Sequence, residues 1–315
     1  MANIFLRSPY YVYRTRSGAL SAKLELTVAG ALRYTIVKNT PNASVMYEIA
    51  ELARDYLDIT YAGSYINQKV SISGEITWYN AINAGGSTVG QPDNFTHDGF
   101  DGYWDYYNTN TAKTFCTSTD DSTSCLMQDN TTIYVPENTS GYIPVMASGN
   151  IVYESFTGST TSIAVGNPSV TITITRTDCS KYTPMKLTFV NKYGALQDIY
   201  FDKKSTETLT TKSENYKNNN LTSAGTYSKY AHQYRTLYKT GRERMILNTG
   251  YMDEGMNEVM KQLMLSEQVW MKMGTEVHPV DVVTNSLTLK TSVNDKLINY
   301  TIEVEHAHEH IDRVS

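Results

Sequence analysis

The stretch YMDEGMNEVMKQLMLSEQVWMK, residues 251–272, decides how the rest of the chain is read. Met252, Met256, Val259, Met260, Leu263 and Met264 recur at spacings of three and four, so on a helix they form one apolar stripe. The spacing predicts an amphipathic helix over Tyr251 to Lys272, and such a stripe needs a cover. The residues that follow supply one. Gly274 and His278-Pro279 end the helix, and Val280 to Val283, Leu287 to Thr291 and Leu297 to Glu305 read as strands, with a turn at Asn294-Asp295. In the last strand Ile298, Tyr300, Ile302 and Val304 alternate with Asn299, Thr301, Glu303 and Glu305, giving one buried and one wet face. The expected C-terminal module is a helix packed on a β-hairpin sheet.

Working outward, Met185 to Phe201 reads as strand, NKYG turn and strand, and Tyr234 to Tyr238 and Met245 to Asn248 read as further strand. Between them, residues 203–230 turn polar, and KSENYKNNNLTSAGTYSK predicts a projecting loop or an arm ordered by a partner. From 131 to 176, the runs Thr132 to Val135, Tyr142 to Met146, Ile151 to Glu154 and Val170 to Thr175 are punctuated by Pro, Gly and Asn, the pattern of a β-sandwich. Near the N-terminus, Leu24, Leu26 and Val28, then Leu32, Tyr34 and Ile36 after Ala29-Gly30, predict a hairpin. Asn42 as N-cap, with Val45, Ile49, Leu52 and Tyr56 on one stripe, predicts a second helix. Strands around Val70 to Ser73 and Ile76 to Tyr79 follow.

The fold class expected from these patterns is mainly β, α+β overall, with antiparallel β-sandwich-like domains and two amphipathic helices. Three domains are expected: residues 1–80, residues 81–176 with long aromatic and polar loops, and residues 177–315. Twenty-five tyrosines against seven phenylalanines, with abundant Thr, Ser and Asn, favour strands over long helices.

Only 19% of residues are charged and the net charge is -5, with no basic stripe, which argues against a nucleic-acid partner. MANIFLRSPYY lacks a signal-peptide pattern and no apolar run reaches the roughly 20 residues that span a bilayer, so the expectation is a soluble protein without membrane insertion. No GxSxG, P-loop, HExxH or GxGxxG motif occurs, and no cofactor or catalytic residue is expected. Cys116 and Cys125 bracket TSTDDSTS and could form a disulfide in an oxidising place; two reduced thiols beside a loop is the competing reading. His306, His308 and His310, in HAHEH, would share one face if the last strand continued and could then meet a metal; a solvated strand end is the alternative. Asp93, Asp98, Asp101 and Asp105 do not follow the spacing of a calcium loop.

Two kinds of surface residue stand out. FTHDGFDGYWDYYN, with Tyr103, Trp104, Tyr106 and Tyr107, could offer flat rings and hydrogen-bonding groups to a host-surface glycan or a partner, or could be a loop folded on its own aromatics. Tyr10, Tyr11 and Tyr13 in the N-terminal arm, and Tyr216 and Tyr227 in the polar segment, lie where too little periodic apolar sequence exists to fold alone, so they are candidates for contacts between subunits.

Several phrases together resemble structural proteins of tailed bacteriophages, most closely virion proteins of phages that infect Bacteroidetes and marine bacteria. They are RSPYYV, LRYTIVKNTPNASVMYEIAELARDYLD, LTFVNKYGALQDIYFDKKS, ILNTGYMDEGMNEVMKQLMLSEQVWM, PVDVV and KLINYTIEVEHA, and they cover about half of the chain, at its two ends. The resemblance implies a non-enzymatic tail, baseplate, distal-tail or collar component. It implies a symmetric ring of copies that contacts other virion proteins, assembled in the host cytoplasm and located in the virion. It carries over no active-site residue.

Overall fold

The computed structural model describes residues 2–105, 114–115, 124–127, 131–167, 169–178, 181–288 and 298–311. Strands dominate, with two helices among the described residues, in agreement with the mainly β reading. The N-terminal part consists of β1 (Ala2–Phe5), β2 (Tyr11–Thr15), β3 (Ser21–Val28), β4 (Ala31–Asn39), β5 (Ser44–Glu48), α1 (Ala50–Arg54), β6 (Val70–Tyr79), β7 (Asp93–Phe100) and β8 (Thr114–Phe115). Six of its strands form one sheet in the order β4-β3-β6-β7-β1-β8, while β2 pairs with β5.

The predicted β3–β4 hairpin is present. Its two turn residues, Ala29 and Gly30, have φ of 52° and 79°, as a two-residue hairpin turn requires. The two strands predicted within 70–79 are one, and Gly74 at its centre faces Phe95 in register. A Cβ on Gly74 would lie 2.2 Å from the Phe95 ring, so only glycine admits that ring. The helix predicted from Asn42 is corrected. Ser44–Glu48 is a strand with Val45 and Tyr47 inward and Met46 outward, and only Ala50–Arg54 is helical. Val45, Tyr47 and Ile49 also satisfy a period of two, and pairing of β5 with β2 selects that period.

The middle part holds β9 (Ser124–Cys125), β10 (Thr132–Pro136), β11 (Gly141–Ala147), β12 (Asn150–Phe156), β13 (Ser162–Val165) and β14 (Val170–Thr177). Two three-stranded sheets, β10-β14-β13 and β12-β11-β9, share a core that includes Val135, Ile143, Val145, Phe156, Ile172 and Ile174, which is the expected sandwich. Not all of it is antiparallel, because β10 and β14 run parallel. Since β7 pairs with β6 and β1, the N-terminal sheet extends to Phe100, past the border expected at residue 80.

The C-terminal part holds β15 (Met185–Val190), β16 (Leu196–Phe201), β17 (Thr206–Lys217), β18 (Tyr234–Met252), α2 (Met256–Leu265), β19 (Val269–Met273), β20 (Glu276–Val282) and β21 (Ile298–His306). All seven strands form one sheet, β16-β15-β19-β20-β21-β18-β17. Met256, Val259, Met260 and Leu263 of α2 pack in one cluster with Leu187, Phe189, Leu247 and Ile302 of that sheet. The methionine stripe is therefore covered as expected, but the helix is shorter than Tyr251–Lys272 at both ends. Tyr251 and Met252 finish β18 after a bulge at Gly250, whose φ is 74° and where a Cβ would lie 2.6 Å from Lys203. At the other end Ser266 is extended, and Val269, Trp270 and Met271 enter β19. Gly274 lies in the turn between β19 and β20, and His278-Pro279 lies within β20, so neither ends the helix. Asn294-Asp295 and most of the strand predicted at Leu287 to Thr291 lie outside the described residues.

Residues 57–69 have no regular secondary structure among them and strap the three parts together. Ile59 and Tyr61 are buried with Val190, Leu196 and Trp270. Asn67 bonds Asn150 and the Ile151 amide at 2.9 and 3.0 Å, and Lys69 pairs with Asp98 at 2.8 Å. Tyr65 donates to Asp198, and Lys186 Nζ reaches the Tyr65 hydroxyl at 2.7 Å, the Tyr61 hydroxyl at 3.1 Å and Asp198 at 3.1 Å. Thr188 satisfies the other Asp198 oxygen at 2.7 Å. A second tie joins Arg7 to the Leu265 carbonyl at 2.7 Å, and Arg54 to Glu267 and Asp101.

Two expectations follow. Met260 is fully buried, so Met260→Ala should cost about 2–5 kcal/mol in urea denaturation, with Met264→Ala, at the half-buried margin, costing less. The second concerns alkali. Burial pushes the Tyr65 hydroxyl far up, helped by Asp198; burial pulls the Lys186 ammonium down, but Asp198 and Tyr61 outweigh it and the net direction is upward. Both folded-state values exceed the unfolded ones, so the stability this cluster adds is complete below about pH 10 and is lost as pH rises through the folded values. Tyrosinate absorbance should therefore show a late class that ionises only as the protein unfolds. Lys186→Met, which leaves Asp198 buried without its cation, should cost about 3–5 kcal/mol at neutral pH.

Candidate assembly interface

The segment read as a polar loop is a β-ribbon. β17 and β18 pair from Thr206↔Ile246 to Lys217↔Tyr234, with a bulge between Glu214 and Asn215. β21 supports β18 only from Arg244 to Met252, so residues 211–217 and 234–240 form a two-stranded arm beyond the sheet. At ~3.3 Å per residue its strands reach roughly 20 Å. Every residue of β17 is exposed, and TETLTTKSENYK, rich in Thr, supplies β propensity without an apolar face. An isolated ribbon of two strands is marginal in water. This one is a direct extension of the buried end of β18, where Met245, Leu247 and Met252 enter the core.

At the tip, Thr222 and Thr226 close a turn through main-chain and hydroxyl bonds, and Leu221 bridges Tyr227. Leu221, Tyr227, Tyr230 and Leu237 are exposed apolar side chains on the arm, Tyr230 at 96%, and Leu209 is exposed at its base. Lys212, Lys217, Lys229, Arg235 and Lys239 face one acid, Glu214, so residues 211–240 carry +4; the chain carries -5, which leaves -9 on the remainder. A basic arm on an acidic body is complementary between copies. β17 is also a sheet edge, with main-chain groups open to pairing.

A second exposed patch lies on the β2–β5 ribbon, where Tyr11, Tyr13 and Met46 point outward. Tyr216 and Tyr227 are exposed too. Tyr10 differs from the other interface candidates: it packs inward against His97, with ring centroids 5.1 Å apart, and burial raises its hydroxyl pKa.

The other candidates are placed as follows. Trp104 packs on Phe5 with centroids 4.8 Å apart, its amide bonds Ser8 Oγ at 2.8 Å, and Arg7 stacks on Tyr103 at 5.2 Å, so these two rings are engaged within the fold. Tyr106, Tyr107 and Cys116 lie outside the described residues. Cys125 is a buried free cysteine whose thiol pKa is pushed up by burial. The final strand ends at His306, so the expected alternation through His310 fails. His306 lies beside His278 with centroids 5.8 Å apart, His310 Nδ1 meets Glu243 at 2.7 Å, and His308 is exposed. No group of three His, Cys, Asp or Glu side chains suited to a metal occurs among the described residues. Asp93, Asp98 and Asp101 pair with Arg16, Lys69 and Arg54, which gives each a structural role.

No helix among the described residues is long and apolar enough to cross a membrane. No protein-family model, curated protein or solved structure matches the chain.

The arm's tip is the expected first site of proteolysis. Brief trypsin treatment should cut after Lys217, Lys229 or Arg235 before any described site in the body.

Proposed function

We propose that this chain is a non-enzymatic structural subunit that assembles with copies of itself, of the kind that builds a bacteriophage tail. The observation that carries the reading is the basic β-ribbon, with β17 exposed along its whole length, that extends from the core sheet and pairs with no further strand among the described residues. Ordered, apolar-dotted arms of this sort lower the entropy cost of joining subunits, because the strand is formed before it docks. The outward Tyr11, Tyr13 and Met46 give a second contact surface. The phrases that resemble tail structural proteins supply the virion setting and the expectation of other virion proteins as neighbours.

Light scattering with negative-stain imaging tests the reading. The purified protein is expected as a closed particle whose mass is a whole multiple of 35.4 kDa. Replacing residues 213–239 with an Asn-Gly turn after the Lys212↔Thr240 pair should give a monomer with an unchanged thermal midpoint, since the core sheet and the Thr240–Glu309 bond are kept. A wild-type protein that stays monomeric at all accessible concentrations contradicts the proposal.

A further inference from the structure

The strap at residues 57–69, β11, β15, β16 and the β19–β20 turn surround an open cleft of about 610 Å³. A second cleft of about 490 Å³ lies against β12. Gly63, Ser64, Tyr65 and Tyr142 line both, so the two form one groove running past the Tyr65–Tyr142 pair. These rings sit 4.5 Å apart at 37°, and Tyr142 is 45% exposed. Tyr65 is fixed from behind. Its hydroxyl is held by Lys186 and Asp198, and its ring lies against Tyr153 at 5.2 Å and Tyr61 at 5.3 Å.

The lining combines these faces with hydroxyls. Ser64, Ser140, Thr183 and Thr275 make no side-chain hydrogen bond among the described residues and are free to donate and accept. Lys186 is neutralised by Asp198, and Lys272 has no ion-pair partner among the described residues, so the groove carries about one positive charge. That is too little for a phosphate backbone, which needs a row of cations. β15 and β19, which bring Lys186 and Lys272, are paired along both edges, whereas β10, β12 and β16 reach the groove as sheet edges, so an extended peptide is the competing occupant that the test must separate. The groove is open along its length, unlike the enclosed apolar pockets that take compact ligands. A chain of rings with C–H faces to stack on tyrosine and hydroxyls to meet serine, threonine and lysine fits each feature.

We propose that this groove binds an oligosaccharide, neutral or singly acidic, with Tyr142 and Tyr65 as its stacking platform and Lys272 as a polar contact. The buried Lys186–Asp198–Tyr61 cluster positions Tyr65, so the platform is formed before the ligand arrives. The groove lies apart from the arm, so loss of assembly and loss of saccharide binding are separate outcomes.

The test applies the full-length protein to a printed array of bacterial and mammalian glycans, then to saturation-transfer NMR with the soluble oligosaccharide selected. At least one glycan class should be retained. Tyr142→Ala should weaken its binding tenfold or more with an unchanged thermal midpoint, Tyr142→Phe should retain binding, and Trp104→Ala should leave it unaltered. Lys272→Ala should weaken it by a smaller factor. The proposal is overturned if no glycan is retained, if Tyr142→Ala binds as well as wild type, or if an extended peptide from a display library occupies the groove instead.

Discussion

One strand bears two duties, and the architecture follows from that. β18 runs nineteen residues from Tyr234 to Met252. Its second half alternates between core and solvent beside β21, while its first half pairs only with β17 and is almost wholly exposed. A ribbon of two strands has little stability of its own. The arm is ordered because its inner end is locked under α2 by Met245, Leu247 and Met252. The bulge at Asn248–Tyr251 then bends the chain out of the sheet and into that helix, through Gly250 in a conformation that suits glycine. Core and arm are one mechanical unit.

The three parts of the molecule are joined differently from the way each is built. Within each, the apolar clusters are continuous; between them, much of the tie is polar and runs through the strap and the Arg7–Glu267–Arg54–Asp101 chain. Asp101 shows the cost, because burial raises its carboxyl pKa although Arg7 and Arg54 oppose the shift. Buried polar links of this kind contribute less net stability than apolar packing, yet they fix relative orientation, since an imperfect fit leaves charges unsatisfied. The aromatic groove is a product of the same strap, which brings Tyr61 and Tyr65 to strands from two other parts of the chain.

Much of the fold was legible because burial writes itself into period. The strands at 21–28 and 70–79 and the final strand alternate visibly, while the 185–201 hairpin shows as two short apolar runs, nearly continuously buried, on either side of a turn. Sequence is ambiguous where two periods coincide. Val45, Tyr47 and Ile49 fit a strand and Val45, Ile49 and Leu52 fit a helix, and only the partner β2 decides between them. Met252 lies on the methionine stripe of α2 but belongs to β18, because one buried methionine satisfies both patterns. The arm carries the opposite pattern: a strand wet on both faces has no alternation to show, so its sequence resembles that of a polar loop. The groove was not visible at all, since Tyr65, Tyr142 and Lys186 come from three distant segments. The dense aromatics around Trp104 are the more conspicuous feature of the sequence, yet the Trp104 ring packs on Phe5.

As proposed above, the arm is a formed strand edge that another copy completes. Hydrogen–deuterium exchange across Thr206–Lys217, measured at low and at high protein concentration, tests it most directly. Alternate amides of β17 face away from β18 and should exchange quickly in dilute protein, then gain protection as the mass increases. Equal exchange of these amides in monomer and assembly would contradict the account, because the arm would then be a bystander to association.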